Sequence, residues 1–141
     1  KMKKLKTISL ILLILLLSAC TNDSIDLKIN GEDLHVDISA DALSRTRGLS
    51  GVESLCDNCG MVFIFGEESK YTFWMREMNF PLDILYIQKD EIVEIFKDVQ
   101  ILNDMGEITE IFPNQSADKV LELNAGWCDA HNVQIGDRIE L

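Results

Sequence analysis

From residue 25 the chain alternates: Ile25, Leu27 and Ile29 are separated by Asp26 and Lys28, and after Asn30-Gly31 the alternation resumes as Leu34, Val36 and Ile38 around His35 and Asp37. Two period-two runs joined by Asn-Gly predict a β-hairpin, because both turn residues accept the positive φ of a type I′ turn. His35 falls on its polar face. Ser39 is placed to cap a short helix over Ala40 to Arg47, with Gly48 as its stop. Ser50 to Gly60 reads as a polar loop carrying Cys56 and Cys59. Met61 to Phe65 is then an unbroken apolar run of strand length, which predicts a core strand covered on both faces. Tyr71 to Met75, Ile84 to Ile87, Ile92 to Phe96, Val120 to Leu123 and Ile139 to Leu141 read as further strands, and Ala125 to Asn132 as room for a turn of helix. Asp98 to Asp118 is the least regular stretch, with turn signals at Asn103-Asp104-Met105-Gly106 and Pro113-Asn114. Many short strands with one or two short helices predict a mainly β fold, a compact antiparallel barrel or sandwich-like domain.

A different pattern precedes residue 25. Lys1, Lys3, Lys4 and Lys6 lead into the apolar run Leu10 to Leu17 and then Ser18-Ala19-Cys20. That run is far shorter than the roughly 20 apolar residues of a spanning helix, and its order of basic, apolar and small residues is that of an export signal. Leu17-Ser18-Ala19-Cys20 resembles a bacterial lipobox. The resemblance implies cleavage before Cys20, acylation of its sulfur and anchoring on the extracytoplasmic side of a cell-envelope membrane. The expected organisation is a lipoprotein signal peptide over residues 1–19, a lipidated cysteine and tether over 20–24, and one β-rich domain over 25–141.

Charge sharpens this picture. The chain carries 13 Lys and Arg against 24 Asp and Glu, a net −11. Loss of residues 1–19 would leave nine basic residues and a net charge of −15. Such a surface repels phosphate, so no nucleic-acid partner is expected, and it repels anionic headgroups, so anchoring rests on the acyl chains.

Several separate segments resemble one known family. Arg45-Thr46-Arg47-Gly48-Leu49, Gly60 to Phe65, Phe73-Trp74-Met75-Arg76 with Phe80-Pro81-Leu82-Asp83, Val120 to Gly126 and Ile135-Gly136-Asp137 follow, in order and approximate spacing, the pattern of the domain of unknown function family 192. The resemblance covers Leu27 to Leu141 and implies a compact, mostly β domain, often exported, of unsettled biochemical role. The chain departs from the pattern at Arg76-Glu77-Met78 and at Ser50, and the pair Cys56 and Cys59 lies outside it.

Three constellations could carry chemistry. Cys56-x-x-Cys59 with Cys128-x-x-His131 has the composition of a Cys₃His zinc site, while in an oxidising compartment two of these three cysteines would instead form a disulfide and leave the third buried. Trp74 and Arg76 fall on one face of an extended strand, where a guanidinium beside an indole could grip an anionic or aromatic ligand. With Asp83 and Glu122 they form the candidate ligand groove. Asp83, Glu122 and Asp137 could also pair with Arg45, Arg47 and Arg138 as a salt-bridge network, or serve as the carboxylates of a small hydrolase if they share a cleft. No nucleophile elbow, P-loop, dinucleotide fingerprint or H-E-x-x-H helix is present. The expected function is a binding or envelope-accessory module without a cofactor, whose partner is a small molecule or an envelope protein. The alternatives are a zinc-binding or thiol-active protein and, behind that, a hydrolase.

Overall fold

The computed structural model describes residues 23–140. The expected signal peptide and lipidated Cys20 lie outside them. Among the described residues no helix is long and apolar enough to cross a membrane.

The alternating residues form the expected hairpin. Strands β1 (Ser24–Ile29) and β2 (Glu32–Ser39) pair antiparallel from Ser24↔Asp37 to Ile29↔Glu32. Asn30 and Gly31 take φ of 53° and 84° between them, as the turn requires. His35 is exposed and shares a 2.8 Å hydrogen bond with Asp26 across the ladder.

Helix α1 (Ala42–Arg47) is two residues shorter at its start than the sequence suggests, and its cap is Asp41 rather than Ser39. The Asp41 carboxylate accepts from the Leu43 and Ser44 amides at 2.9 and 3.0 Å, while the Ser44 hydroxyl accepts from the Asp41 amide, a reciprocal capping box. Ser39 instead ends β2, fully buried, with its hydroxyl donating to the Ser44 oxygen.

Strand β3 (Cys59–Ser69) lies parallel to β2, from His35↔Cys59 to Ser39↔Phe63. This one parallel pairing departs from the otherwise antiparallel plan. Parallel neighbours cannot be joined by a tight turn, so residues 40–58 must cross over the sheet, and that crossover sets α1 above the β3 face.

The remaining elements are β4 (Phe73–Trp74), β5 (Leu82–Gln88), β6 (Glu91–Val99), β7 (Glu110–Ile111), β8 (Ala117–Asn124), α2 (Trp127–Ala130) and β9 (Ile139–Glu140). Seven strands form a curled half-barrel in the order β6-β5-β8-β3-β2-β1-β9, and β4 pairs with β7 apart from it. The mainly β class with two short helices is thus as expected.

Strands β5, β8 and β3 are central, and both faces of each are buried. One face contributes Val62, Leu85, Ile87, Leu121 and Leu123 to a core closed by the β1–β2 hairpin, Trp127, Cys128 and Val133. The other contributes Met61, Phe63, Ile84, Tyr86 and Val120 to a second core with Leu49, Met75, Met78 and Ile111. Packing at the centre is tight: a Cβ on Gly60 would lie 2.4 Å from the Glu122 carbonyl oxygen and 2.7 Å from a Leu123 methyl, so only glycine fits there.

Candidate ligand cavity

The two central acids lie on opposite faces of the sheet. Asp83 of β5 is opposite Leu123 of β8, whereas Glu122 is opposite Ile84, and side chains alternate along each strand. Asp83 therefore faces the first core. It is fully buried, and its carboxylate accepts from the Asp98 amide at 2.8 Å and the Cys128 amide at 2.9 Å. Those bonds tie the end of β6 to α2, a structural task. Asp83 and Glu122 share no cleft, so the geometry that a two-carboxylate hydrolase would need is absent.

Glu122 faces the second core. It is 5% exposed, and its Oε2 has no hydrogen-bond partner. Loss of water around a carboxylate disfavours its charged form, and burial pushes this carboxyl up to about 8, so at neutral pH it is chiefly the neutral acid.

Above it lies a cavity of about 290 Å³ with Glu122 at its floor. Helix α1 and the turn after it contribute Ala42, Arg45, Thr46, Arg47 and Gly48 to Ser50; β3 contributes Phe63 and Phe65; and the segment Tyr71 to Trp74 with Met78 completes the wall. Aromatic contacts set the wall's shape. Phe63 meets Phe73 edge-on with centroids 4.9 Å apart, and Phe65 stacks on Tyr71 at 3.5 Å. Arg45 is fixed in place: its guanidinium donates to the Ala40 and Ile64 carbonyls and lies 5.3 Å from the Phe65 ring centroid. Gly48, at φ 51°, leaves room for Phe63, since a Cβ there would come within 3.2 Å of its ring.

Of the residues expected to form a groove, Trp74 and Glu122 line this cavity. Arg76 does not line it but places its guanidinium over the Trp74 ring, 5.0 Å from the centroid. Asp83 is on the far side of the sheet. Arg45 and Arg47, read from the sequence as partners for acids, instead line the cavity, and no ion pair among the described residues includes either of them or Arg76. The sequence signal for this site was present but easily misread: an acid flanked by Leu121 and Leu123 suggests a solvent face, unless the strand is central and covered on both sides.

The cysteines follow the disulfide alternative. Cys56 and Cys59 are bonded to one another, and Cys128 is free and buried. The disulfide leaves no thiolate on the first half of the expected zinc quartet. His131 is placed by other contacts: its Nδ1 is 2.8 Å from the Trp127 carbonyl and its ring stacks on the Trp127 indole at 4.1 Å. Among the described residues no three His, Cys, Asp or Glu side chains converge on a point where one ion could be held. Burial, with the Asp83 carboxylate beside it, pushes the Cys128 thiol up, which keeps it protonated and the opposite of a reactive thiol.

The disulfide loop is also fastened from outside, by Asn124 donating to the Cys56 carbonyl at 2.8 Å and the Trp127 indole donating to Asn58 Oδ1 at 3.0 Å. Closing so short a loop constrains the unfolded chain modestly. Reduction is expected to lower stability by about 1–2 kcal/mol without unfolding the domain, measured as a shift in the urea midpoint with and without reductant.

Among proteins of curated function no match was found. Two solved structures share the fold. One is a proposed transcription regulator from Sinorhizobium meliloti 1021, 29% identical, with a TM-score of 0.76 over 84% of this chain and 94% of that one. The other, a protein of unknown function from Novosphingobium aromaticivorans DSM 12444, is 22% identical, with a TM-score of 0.78 over 88% of this chain and 89% of that one. A family profile matches residues 25–141, nearly the whole chain beyond the N-terminal segment. The chain belongs to the family of domains of unknown function 192, DUF192, described as an uncharacterized ACR.

Proposed function

We propose that this protein is a membrane-anchored lipoprotein whose extracytoplasmic domain binds a small molecule in the cavity beneath α1. The observation that carries the binding reading is the buried Glu122 carboxyl, whose Oε2 has no hydrogen-bond partner among the described residues, in an aromatic-walled space. An isolated polar group of this kind costs stability, and a bound ligand would supply its missing partner. A volume of about 290 Å³ suits a compact ligand of one ring or a short chain. What supports the anchor is the resemblance of Leu17 to Cys20 to a lipobox, which would put the domain in the cell envelope. An envelope-protein partner is the other form of this reading, and the exposed Trp74 beside Arg76 is where it would dock.

The description of the Sinorhizobium protein as a transcription regulator is not carried over. A net charge of −11 opposes nucleic-acid binding, as the sequence already argues. Among the described residues Cys56 and Cys59 are taken up by a disulfide, and Asp83 and Glu122 lie on opposite faces of the sheet, so neither the zinc-binding nor the hydrolytic alternative is favoured.

The test is ligand-observed NMR on the full chain in mild detergent, screened against small organic compounds, beside the Thr46→Trp variant that puts an indole into the roof. Saturation transfer to bound compounds is expected with the native chain and lost with the variant. Equal signals from both would place binding elsewhere and contradict the reading. For the anchor, Cys20→Ala is expected to move the chain from the membrane to the soluble fraction.

A further inference from the structure

The charges at the cavity favour one class of ligand. The chain holds 24 acidic residues, yet among the described residues the only acid lining this cavity is Glu122, and the two arginines that line it take part in none of the ion pairs there. A third arginine, Arg76, lies over the Trp74 ring. The other described arginine, Arg138, is 3.7 Å from Asp90 on another part of the surface. In an acidic protein this concentrates positive potential at one opening. A cation would enter against two guanidinium groups and find no formal negative charge on a neutral Glu122, whereas an anion would meet complementary charge at the mouth.

The polar groups share the cavity with aromatic walls. Phe63, Phe65 and Phe73 line it together with the arginines of α1 and Glu122 of β8. We infer that the cavity takes a small organic anion with an apolar, ring-sized body: its carboxylate faces Arg45 and Arg47, and a polar oxygen at its far end hydrogen-bonds to Glu122. This inference rests on the binding reading above and names its ligand class.

The state of Glu122 then governs affinity. As the neutral acid its O–H can donate to the ligand oxygen; as a carboxylate it would sit unsolvated near a second anion and oppose binding. The titratable and charged groups around it are Arg45 and Arg47 of α1, Tyr71 in the wall, and Tyr86 of β5, whose hydroxyl donates to the Tyr71 carbonyl at 2.8 Å. Burial with the nearby Glu94 and Glu122 carboxyls pushes the Tyr86 phenol up, so Glu122 is the group that switches.

The test uses three probes of one shape with the full chain in mild detergent: 4-(hydroxymethyl)benzoate, its neutral amide and the corresponding benzylamine cation, titrated calorimetrically. At pH 6.5 the carboxylate is expected to bind at least about tenfold more tightly than the other two, and to weaken about tenfold by pH 9 as Glu122 ionises. Glu122→Gln should keep binding and lose most of that pH dependence. Arg47→Gln should weaken the carboxylate several-fold and leave the amide unchanged. Equal affinity for amide and carboxylate would overturn the anion inference while leaving a small-molecule site. Tightest binding of the amine would overturn it in favour of a cation. Binding of none of the three by folded protein would overturn both the inference and the reading beneath it.

Discussion

Asp83→Ala is expected to lower the unfolding free energy by about 2–4 kcal/mol, the largest effect of any single truncation considered for this protein. The carboxylate occupies no ligand site, so the loss is one of architecture. It is the shared acceptor for the amides of Asp98 and Cys128, the first at the end of β6 and the second in α2. Truncation leaves a fully buried amide at Cys128 and a partly buried one at Asp98 with no acceptor, and an unsatisfied buried donor costs about 1–3 kcal/mol. It also opens a void beside Cys128 in the first core. Asp83→Asn keeps one carbonyl oxygen and is expected to cost about half as much. Chemical denaturation of the two variants measures the difference. An Asp83→Ala midpoint equal to the native one would show that water, not Asp83, satisfies those amides.

The second large effect is a fall in stability as pH rises. The Glu122 carboxyl ionises at an ordinary acidic pH in the unfolded chain but only near 8 in the folded one. Between those values the native state holds a proton that the unfolded state has released, so each rise in pH favours unfolding. From pH 6 to pH 8 the loss attributable to this one group is expected to be about 2 kcal/mol, levelling off above the folded value. Most paired carboxylates act in the opposite sense, adding stability as pH rises through the acid range. Glu122→Gln should remove this component and become more stable than the native chain at pH 8.5. Denaturation curves at pH 6, 7 and 8 for both proteins provide the check, and parallel slopes would contradict the assignment.

The fold was legible wherever local pattern and tertiary context agree. Asn30-Gly31 between alternating runs could hardly form anything but a hairpin, and Met61 to Phe65 is too apolar to lie anywhere but in a covered strand. The two-residue strands were not legible in their true extent. Tyr71 to Met75 reads as one strand, but only Phe73 and Trp74 pair, because their partner Glu110–Ile111 is equally short and lies within the irregular stretch. The cap of α1 was misplaced because Ser39 and Asp41 are both good caps, and only the strand's claim on Ser39 decides between them.

The candidate site was half legible. Trp74 and Glu122 are legible as site residues, but the sequence groups Asp83 with them because it does not reveal which face of a central strand each acid occupies. The adjacent register of β5 and β8 sends the two apart. Arg45 and Arg47 were assigned to acids for want of any other partner, whereas the crossover from β2 to β3 carries them over the sheet to the mouth of the cavity. That crossover is a long-range consequence of one parallel pairing, which no local pattern announces.

Whether a neutral Glu122 carboxyl forms the floor of the cavity is read from its side-chain carbon resonance, followed by NMR from pH 4 to pH 10 and assigned with Glu122→Gln. A single titration with its midpoint near 8 is the predicted result. A midpoint in the ordinary carboxylate range would mean that Glu122 is solvated or ion-paired in solution, and would contradict both the cavity and the ligand inferred to fill it.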